Sequence, residues 1–267
     1  MNLFSKPNRI LLREMIKTDF KLRYQGSLIG HLWSILKPLM LFAVQYVVFI
    51  YFLRFGQDIP HFSVALLLGM VIWTFFQEAT MMGLTSIVAR GDLLRKLNFS
   101  KPIIVISSVA NASINFGINL CVVLIFAIIN GVPITVNWLL VFPYFVFLAL
   151  FATGFAFILS TLYVKYRDIG PVWEVVMQAG MYATPIIYPV TLVTNQSIKA
   201  GAVMMLSPIA TIIQDLRHMI ISPNNLTIRQ IINTTWITWI PYVLPFIVFV
   251  VGLLVFTKNS KKFAEIL

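Results

Sequence analysis

The feature that most restricts this chain is a succession of apolar runs at 33–53, 62–84, 103–129, 138–163, 172–188 and 240–256, separated by charged connections. Crossing the hydrocarbon core of a bilayer takes about 20 consecutive apolar residues in helical form. No water is present there to satisfy peptide groups, so a crossing backbone must bond within itself, as a helix does. The runs predict an all-α, polytopic membrane protein with six transmembrane helices in a single domain over 1–267. Only 11% of the residues are charged and 59% are hydrophobic, against about 25% charged in a soluble domain. Lipid therefore replaces much of the core that a soluble chain would bury.

Charge sets the expected orientation. The net charge is +11. A cytoplasmic N-terminus puts the N-terminal segment, the 88–102 loop, the 164–170 loop and the tail with Lys258, Lys261 and Lys262 on the cytoplasmic side. Only Arg54, Lys199, Arg217 and Arg229 then fall elsewhere. Two cytoplasmic termini require an even number of spans, which six supplies. The surplus of positive charge is ascribed to this bias and to anionic membrane lipid, with no nucleic-acid partner. Residues 1–24 lack the apolar core and small-residue cleavage site of a secretory signal, so the spans themselves are expected to direct insertion.

Residues 8–24 fit an amphipathic helix in the membrane interface. Leu11, Leu12, Met15, Ile16 and Leu22 share one arc, and Arg9, Arg13, Lys17 and Lys21 form a basic stripe beside it, with Arg23 near the end. An elbow follows: Gly26 and Gly30 permit a bend, Trp33 opens the first span and Pro38 sits inside it. Two loops are suited to docking a soluble subunit. Within 88–101, Gly91, Asp92, Leu93, Leu94, Arg95 and Lys96 read as a short helix with leucines on one side and charges on the other. Tyr166, Arg167 and Asp168 form a compact charged junction between spans. The stretch 192–232 is only moderately apolar, and Pro208, Asp215, Arg217 and His218 disfavour a lipid-exposed crossing. External re-entrant or gate helices before the last span fit it, as does an ordinary external loop.

The chemistry-bearing residues are sparse. No Gly-x-x-x-x-Gly-Lys-Ser/Thr loop occurs, so ATP is not expected to be hydrolysed by this chain through that route. His31, His61 and His218 are scattered, no metal-ligand spacing is present, and no catalytic set can be assembled. The single cysteine, Cys121, is assigned to packing. Glu78 and Glu174 are isolated carboxylates near the cytoplasmic ends of spans, where an ion pair or snorkelling is preferred to a proton relay. Tyr46, Phe49, Trp73, Phe76, Tyr182 and Tyr188 are candidates for lining a path, because sugar rings stack on aromatic faces and a Tyr hydroxyl adds a hydrogen bond. Interfacial belts and lipid-facing rings are the alternative.

Three stretches carry a resemblance. Residues 23–38 (RYQGSLIGHLWSILKP) resemble the N-terminal signature of ABC type-2 permeases that export polysaccharides; so do Tyr166-Arg167-Asp168-Ile169-Gly170 and Ala183-Thr184-Pro185-Ile186-Ile187-Tyr188-Pro189. Ser207-Pro208 with Arg217 stands where the family has Asn-Pro and a following basic residue. The resemblance covers the whole chain and is nearest to permeases for rhamnose-containing wall polysaccharides of Gram-positive cocci; exporters of wall teichoic acid and O-antigen share the motifs. It implies a homodimer in the plasma membrane, paired with two copies of a separate ATPase subunit that holds ATP and Mg, while this chain holds no cofactor. It implies as substrate a glycan on a polyprenyl diphosphate, moved outward through an aromatic-lined channel. It also implies an interface helix at 8–24, a coupling helix at 88–101 and gate helices at 192–232. A stand-alone secondary transporter or channel is the alternative function.

Overall fold

A computed structural model of the chain describes residues 6–23, 25–97, 99–232 and 234–266. Among these residues all regular structure is helical. Helix α1 (Lys6–Leu22) leads through the elbow to α2 (Trp33–Gln45), which runs on through a π-helical turn at Tyr46–Phe52. Helix α3 (Phe62–Ala89), the short α4 (Gly91–Lys96) and α5 (Pro102–Ile129) follow. Next come α6 (Val141–Lys165), entered by a 3-10 turn at Val136–Leu140, and α7 (Ile169–Ala183). Three short helices come after it: α8 (Val190–Gln196), α9 (Ile198–Met205) and α10 (Pro208–Leu216), the last prolonged by a π-turn at Arg217–Ile221. The chain ends with α11 (Ile228–Ile231), α12 (Ile240–Ser260) and α13 (Phe263–Ile266). Among the described residues five helical stretches are long and apolar enough to cross a membrane: Gly30–Phe52, Phe62–Ala89, Pro102–Ile129, Val136–Lys165 and Ile237–Ser260.

The expected fifth span, 172–188, takes a different form. Helix α7 starts earlier and stops at Ala183, 15 residues in all. That gives about 22 Å of rise, short of the ~30 Å hydrocarbon core. Pro185 explains the stop: its ring excludes the helical conformation from the preceding residue, and Thr184 is extended at φ −99°, ψ 141°. Beyond it the chain continues as the irregular segment 184–189.

Helix α3 is the hub. In its most apolar stretch 78% of residues are buried within the subunit, against 6% for the first span. Ring contacts give the relative directions. Phe75 of α3 meets Phe116 of α5 and Phe145 of α6, at 5.2 and 5.3 Å between centroids, and Phe116 stacks on Phe145 at 4.8 Å. Phe76 packs on Phe151 at 5.4 Å and Phe157 on Phe256 at 5.0 Å. Helices α3, α6 and α12 thus run one way and α5 the other. Cys121, expected to pack, instead faces outward from α5.

Both described ends of the chain lie at one end of this bundle, here called the terminal end. The Ser100 amide donates to Asn8 Oδ1 at 3.5 Å, Lys101 Nζ donates to the Ser260 carbonyl, and Phe263 packs edge-on against Phe256 at 5.3 Å.

Helices α6 and α12 touch backbone to backbone. A Cβ on Gly252 would lie 2.3 Å from the Gly154 carbonyl oxygen, and one on Gly154 would lie 2.7 Å from the backbone of Val248 and Phe249. Within lipid, apolar burial gives helices little reason to associate, so close small-residue packing has to supply the attraction. Gly252→Val should therefore destabilise the protein by about 1–3 kcal/mol, as overpacking does. Val250→Ala, at an exposed position of the same helix, should change little. Thermal unfolding in detergent micelles compares the two; equal midpoints would contradict the packing assignment.

Candidate functional site

Three constructions on this bundle are suited to transport. The first closes the far end, opposite the termini. Arg217 is fully buried. Its Nε donates to the carbonyl of Ala65 at 2.9 Å, Nη1 to that of Pro185 at 2.6 Å and Nη2 to that of Ile186 at 2.7 Å. The guanidinium also lies over the Phe62 ring, 5.9 Å from its centroid. One side chain thus satisfies the carbonyls left open where α7 gives way to irregular backbone, and ties them to the start of α3. Gly69 makes room for it: a Cβ there would stand 2.7 Å from Nη2. Burial lowers the pKa of Arg217. Every residue of α10 is buried as well. The stretch 208–216 is therefore a helical plug covered by protein, while Leu192, Ile198 and Val203 elsewhere in 192–232 stay exposed. Beside it Asp215 accepts from the Tyr144 hydroxyl at 3.0 Å and from the Tyr242 hydroxyl, which fastens the plug to α6 and α12. Burial raises the Asp215 pKa, and the two phenol hydrogen bonds oppose the rise.

The second construction is at the terminal end. Helix α1 runs alongside α5 in the same direction. The carboxylate of Asp19 pairs with Arg90 and accepts from Asn111 Nδ2 at 3.3 Å, while Arg90 Nη1 reaches Ser107 Oγ at 3.2 Å. Further along, Arg23 pairs with Glu78, whose two oxygens accept from Asn115 Nδ2 at 3.2 and 3.1 Å. The carboxylate of Glu78 is thus held in an ion pair. Arg9, Arg13, Lys17 and Lys21 all stay exposed on the outer side of α1. In α4, Leu94 is buried and Leu93 half-buried, while Asp92, Arg95 and Lys96 are exposed and Gly91 opens the helix. Tyr166, Arg167 and Asp168 are exposed at the foot of α6, with Arg167 over the Tyr163 ring at 5.1 Å. These two loops share the terminal end, since α13 packs on both α4 and α6.

The third construction is a polar recess of about 420 Å³ between α2 and the α3–α5 pair, lined by Arg23, Trp33, Ser34, Lys37, Glu78 and Asn119 among others. Sequence reasoning missed its back wall, Asn115 and Asn119. With Ser107 and Asn111 these recur every four residues on α5, all of them buried; that spacing inside an apolar run is the signal that marks them.

The elbow joins α1 to this recess. Gly26 and Gly30 have φ +83° and +56° with open space around a would-be Cβ, and His31 turns back to stack on Phe20 at 4.6 Å. Pro38 lies inside α2 and lines the recess with Trp33. Tyr24, within the expected interface helix, lies outside the described residues.

The proposed aromatic liners divide. Trp73 and Phe76 are 4% and 2% exposed. Trp73 fills the space over Gly180, and Phe76 packs on Phe151 and Phe155. Their faces are consumed by the core of the subunit, so neither presents a ring at its surface. Tyr46 and Tyr182 are exposed, Phe49 is half-buried against Phe55 at 5.9 Å, and Tyr188 is half-buried with its hydroxyl on the Tyr182 carbonyl at 2.8 Å.

Bilayer-length helices, a covered insert at the far end and exposed charges at the terminal end define a polytopic helical membrane protein. The family model for the ABC-2 type transporter matches residues 10–221, and the chain belongs to that family. Two relatives from Klebsiella pneumoniae, each an O-antigen export system permease protein RfbA, are 29% and 28% identical over 258 residues, 96% of this chain and 95% of theirs. A protein of the same description from Myxococcus xanthus is 28% identical over 205 residues, 76% of this chain and 77% of its own.

Two outcomes follow from this geometry. Arg217→Met leaves three carbonyls without their donor and should cost on the order of 3 kcal/mol, with Arg217→Lys in between. Thermal unfolding reads the order, and a methionine variant as stable as the parent would contradict the role given to the guanidinium. Alanine at both Gly26 and Gly30 meets no atom and pays only for a left-handed backbone, about 1–2 kcal/mol at each. Its membrane insertion should match the parent while transport falls; equal transport, assayed in cells, would reduce the elbow to a passive corner.

Proposed function

We propose that the chain is the membrane-spanning subunit of an ATP-driven exporter that carries a cell-surface polysaccharide, linked to a polyprenyl diphosphate, from the cytoplasmic to the outer face of the plasma membrane. The observation that carries this reading is the end-to-end similarity to O-antigen export permeases, over 96% of this chain and 95% of the relative. The terminal end, with both chain termini, is the cytoplasmic face. Two copies of a nucleotide-binding ATPase dock there on the exposed charges of α4 and of 166–168, and ATP and Mg belong to them. Leu94 roots α4 in the bundle, so a push on Asp92 and Arg95 is passed to α3 and α5.

The functional unit is a homodimer. The first span and α7 support this, since both keep broad apolar faces unpaired within the subunit: Leu36, Met40, Val44 and Val47 on one, Val172, Val175 and Val176 on the other. A path between two such subunits brings Tyr46 and Tyr182 within reach of a glycan. Within the class, a rhamnose-containing wall polysaccharide is the proposed cargo, with wall teichoic acid as the alternative.

The coupling role is tested by Asp92→Ala with Arg95→Ala in a chain co-expressed with its ATPase. Co-purified ATPase or ATP-dependent export should drop about tenfold, the loss expected for a small docking hot spot, while membrane insertion is unchanged. Full assembly and full export in the double variant would contradict the coupling assignment.

A further inference from the structure

The recess between α2 and the α3–α5 pair has a chemistry that packing does not account for. Two cationic side chains, Arg23 and Lys37, line it together with Glu78, Asn115, Asn119 and Trp33. Asn115 is 5% exposed and its Oδ1 has no hydrogen-bond partner among the described residues. A buried carbonyl oxygen without a donor is costly, so this wall of the recess offers an acceptor to a ligand's donor. The carboxylate of Glu78 is also an acceptor and repels a bare phosphate. A ligand carrying both an anionic and a donating group can use the cation and the amide wall at once. Lys37 is the cation free to face an anion, because Arg23 is engaged by Glu78. Apolar surface continues along α2 from the same site, with Leu41 lining the recess and Met40 and Val44 exposed beyond it. A volume of about 420 Å³ is within the range of small-ligand pockets.

We propose that this recess binds the headgroup of a lipid-linked sugar phosphate. Sugar hydroxyls donate to Asn115 Oδ1 and Glu78, with Asn119 alongside and Trp33 offering a ring edge or face; the phosphate sits against Lys37; the isoprenoid or acyl tail lies along Leu41, Met40 and Val44. An ordinary anionic phospholipid needs only the cation and leaves the amide wall unused. The proposal deepens the export reading and rests on it: the recess is where the lipid-linked substrate is first held. It also gives the Arg23–Glu78 pair a position at the junction of interface helix, elbow and substrate.

The test is equilibrium binding to the purified full-length chain in nanodiscs. The probes are farnesyl-diphosphoryl glucose, farnesyl diphosphate, inorganic diphosphate and phosphatidylglycerol. Saturable binding is expected in that order of decreasing affinity. Lys37→Gln should weaken both farnesyl probes about tenfold, the loss of one charge-assisted contact. Asn119→Leu should weaken the glucose-bearing probe alone, and Lys199→Gln, on the exposed surface of α9, should weaken none. Thermal unfolding of each variant separates lost binding from lost folding. Equal affinity for phosphatidylglycerol and the sugar probe, or parental binding by both Lys37→Gln and Asn119→Leu, overturns the proposal while leaving export intact as a function. Failure of the parent chain to bind any farnesyl probe, in cells that still export glycan, overturns the proposal alone. Absence of both binding and glycan export overturns the functional reading with it.

Discussion

The guanidinium of Arg217 holds the structure's least regular part together. A chain that spends 15 residues in α7 and then meets Pro185 cannot finish its crossing as a helix. The carbonyls of Pro185 and Ile186 are left open in surroundings where water is scarce. Arg217 satisfies both and, through the Ala65 carbonyl, binds the break to the hub helix. Each neighbouring feature is shaped by this contact. Gly69 leaves the space that Nη2 fills, and the Phe62 ring lies beside the guanidinium. Asp215 carries the same plug across to α6 and α12 through two tyrosine hydroxyls. The result is a folded insert with fixed partners: three backbone carbonyls for Arg217 and two tyrosine hydroxyls for Asp215.

The terminal end works by a different principle. Here ion pairs join elements that are far apart in sequence: Asp19 with Arg90, and Arg23 with Glu78. The pairs are backed by Ser107, Asn111 and Asn115 on α5. Partly shielded and hydrogen-bonded, they are worth more than surface pairs, whose net contribution is about 0–1 kcal/mol. They make α1, the elbow and the inner parts of α3 and α5 into one body. The α3–α4 junction at Arg90 is thereby joined to α1 by an ion pair as well as by the chain itself. The two glycines at positive φ put flexibility at one place in that body, directly before α2.

Much of this was readable from the chain because lipid imposes a one-dimensional rule: apolar length decides what crosses. The runs at 33–53, 103–129 and 240–256 coincide closely with helices for that reason. The break in the run at 172–188 was also written locally, in Pro185 and Pro189, but hydropathy alone does not register a proline's effect on the residue before it. The partners of Arg217 were not readable. Ala65 lies 152 positions away in sequence and the contact is to a backbone carbonyl, which leaves no mark in the residue type. Trp73 and Phe76 misled as path-lining residues because an aromatic ring inside a bundle and one lining a path have the same composition signal; only the close approach of Gly180 and Phe151 separates them. The four-residue ladder Ser107, Asn111, Asn115 and Asn119 is open to view in the sequence and marks a buried polar face of α5.

The central claim is that this chain moves a lipid-linked glycan only when driven by a separate ATPase. It is tested most directly by reconstituting the chain with that ATPase in proteoliposomes and following a fluorescent lipid-linked oligosaccharide from one leaflet to the other. Transfer that needs both proteins and ATP, and stops when either is left out, is the predicted result. Transfer by the chain alone, driven by an ion gradient without nucleotide, would contradict the account.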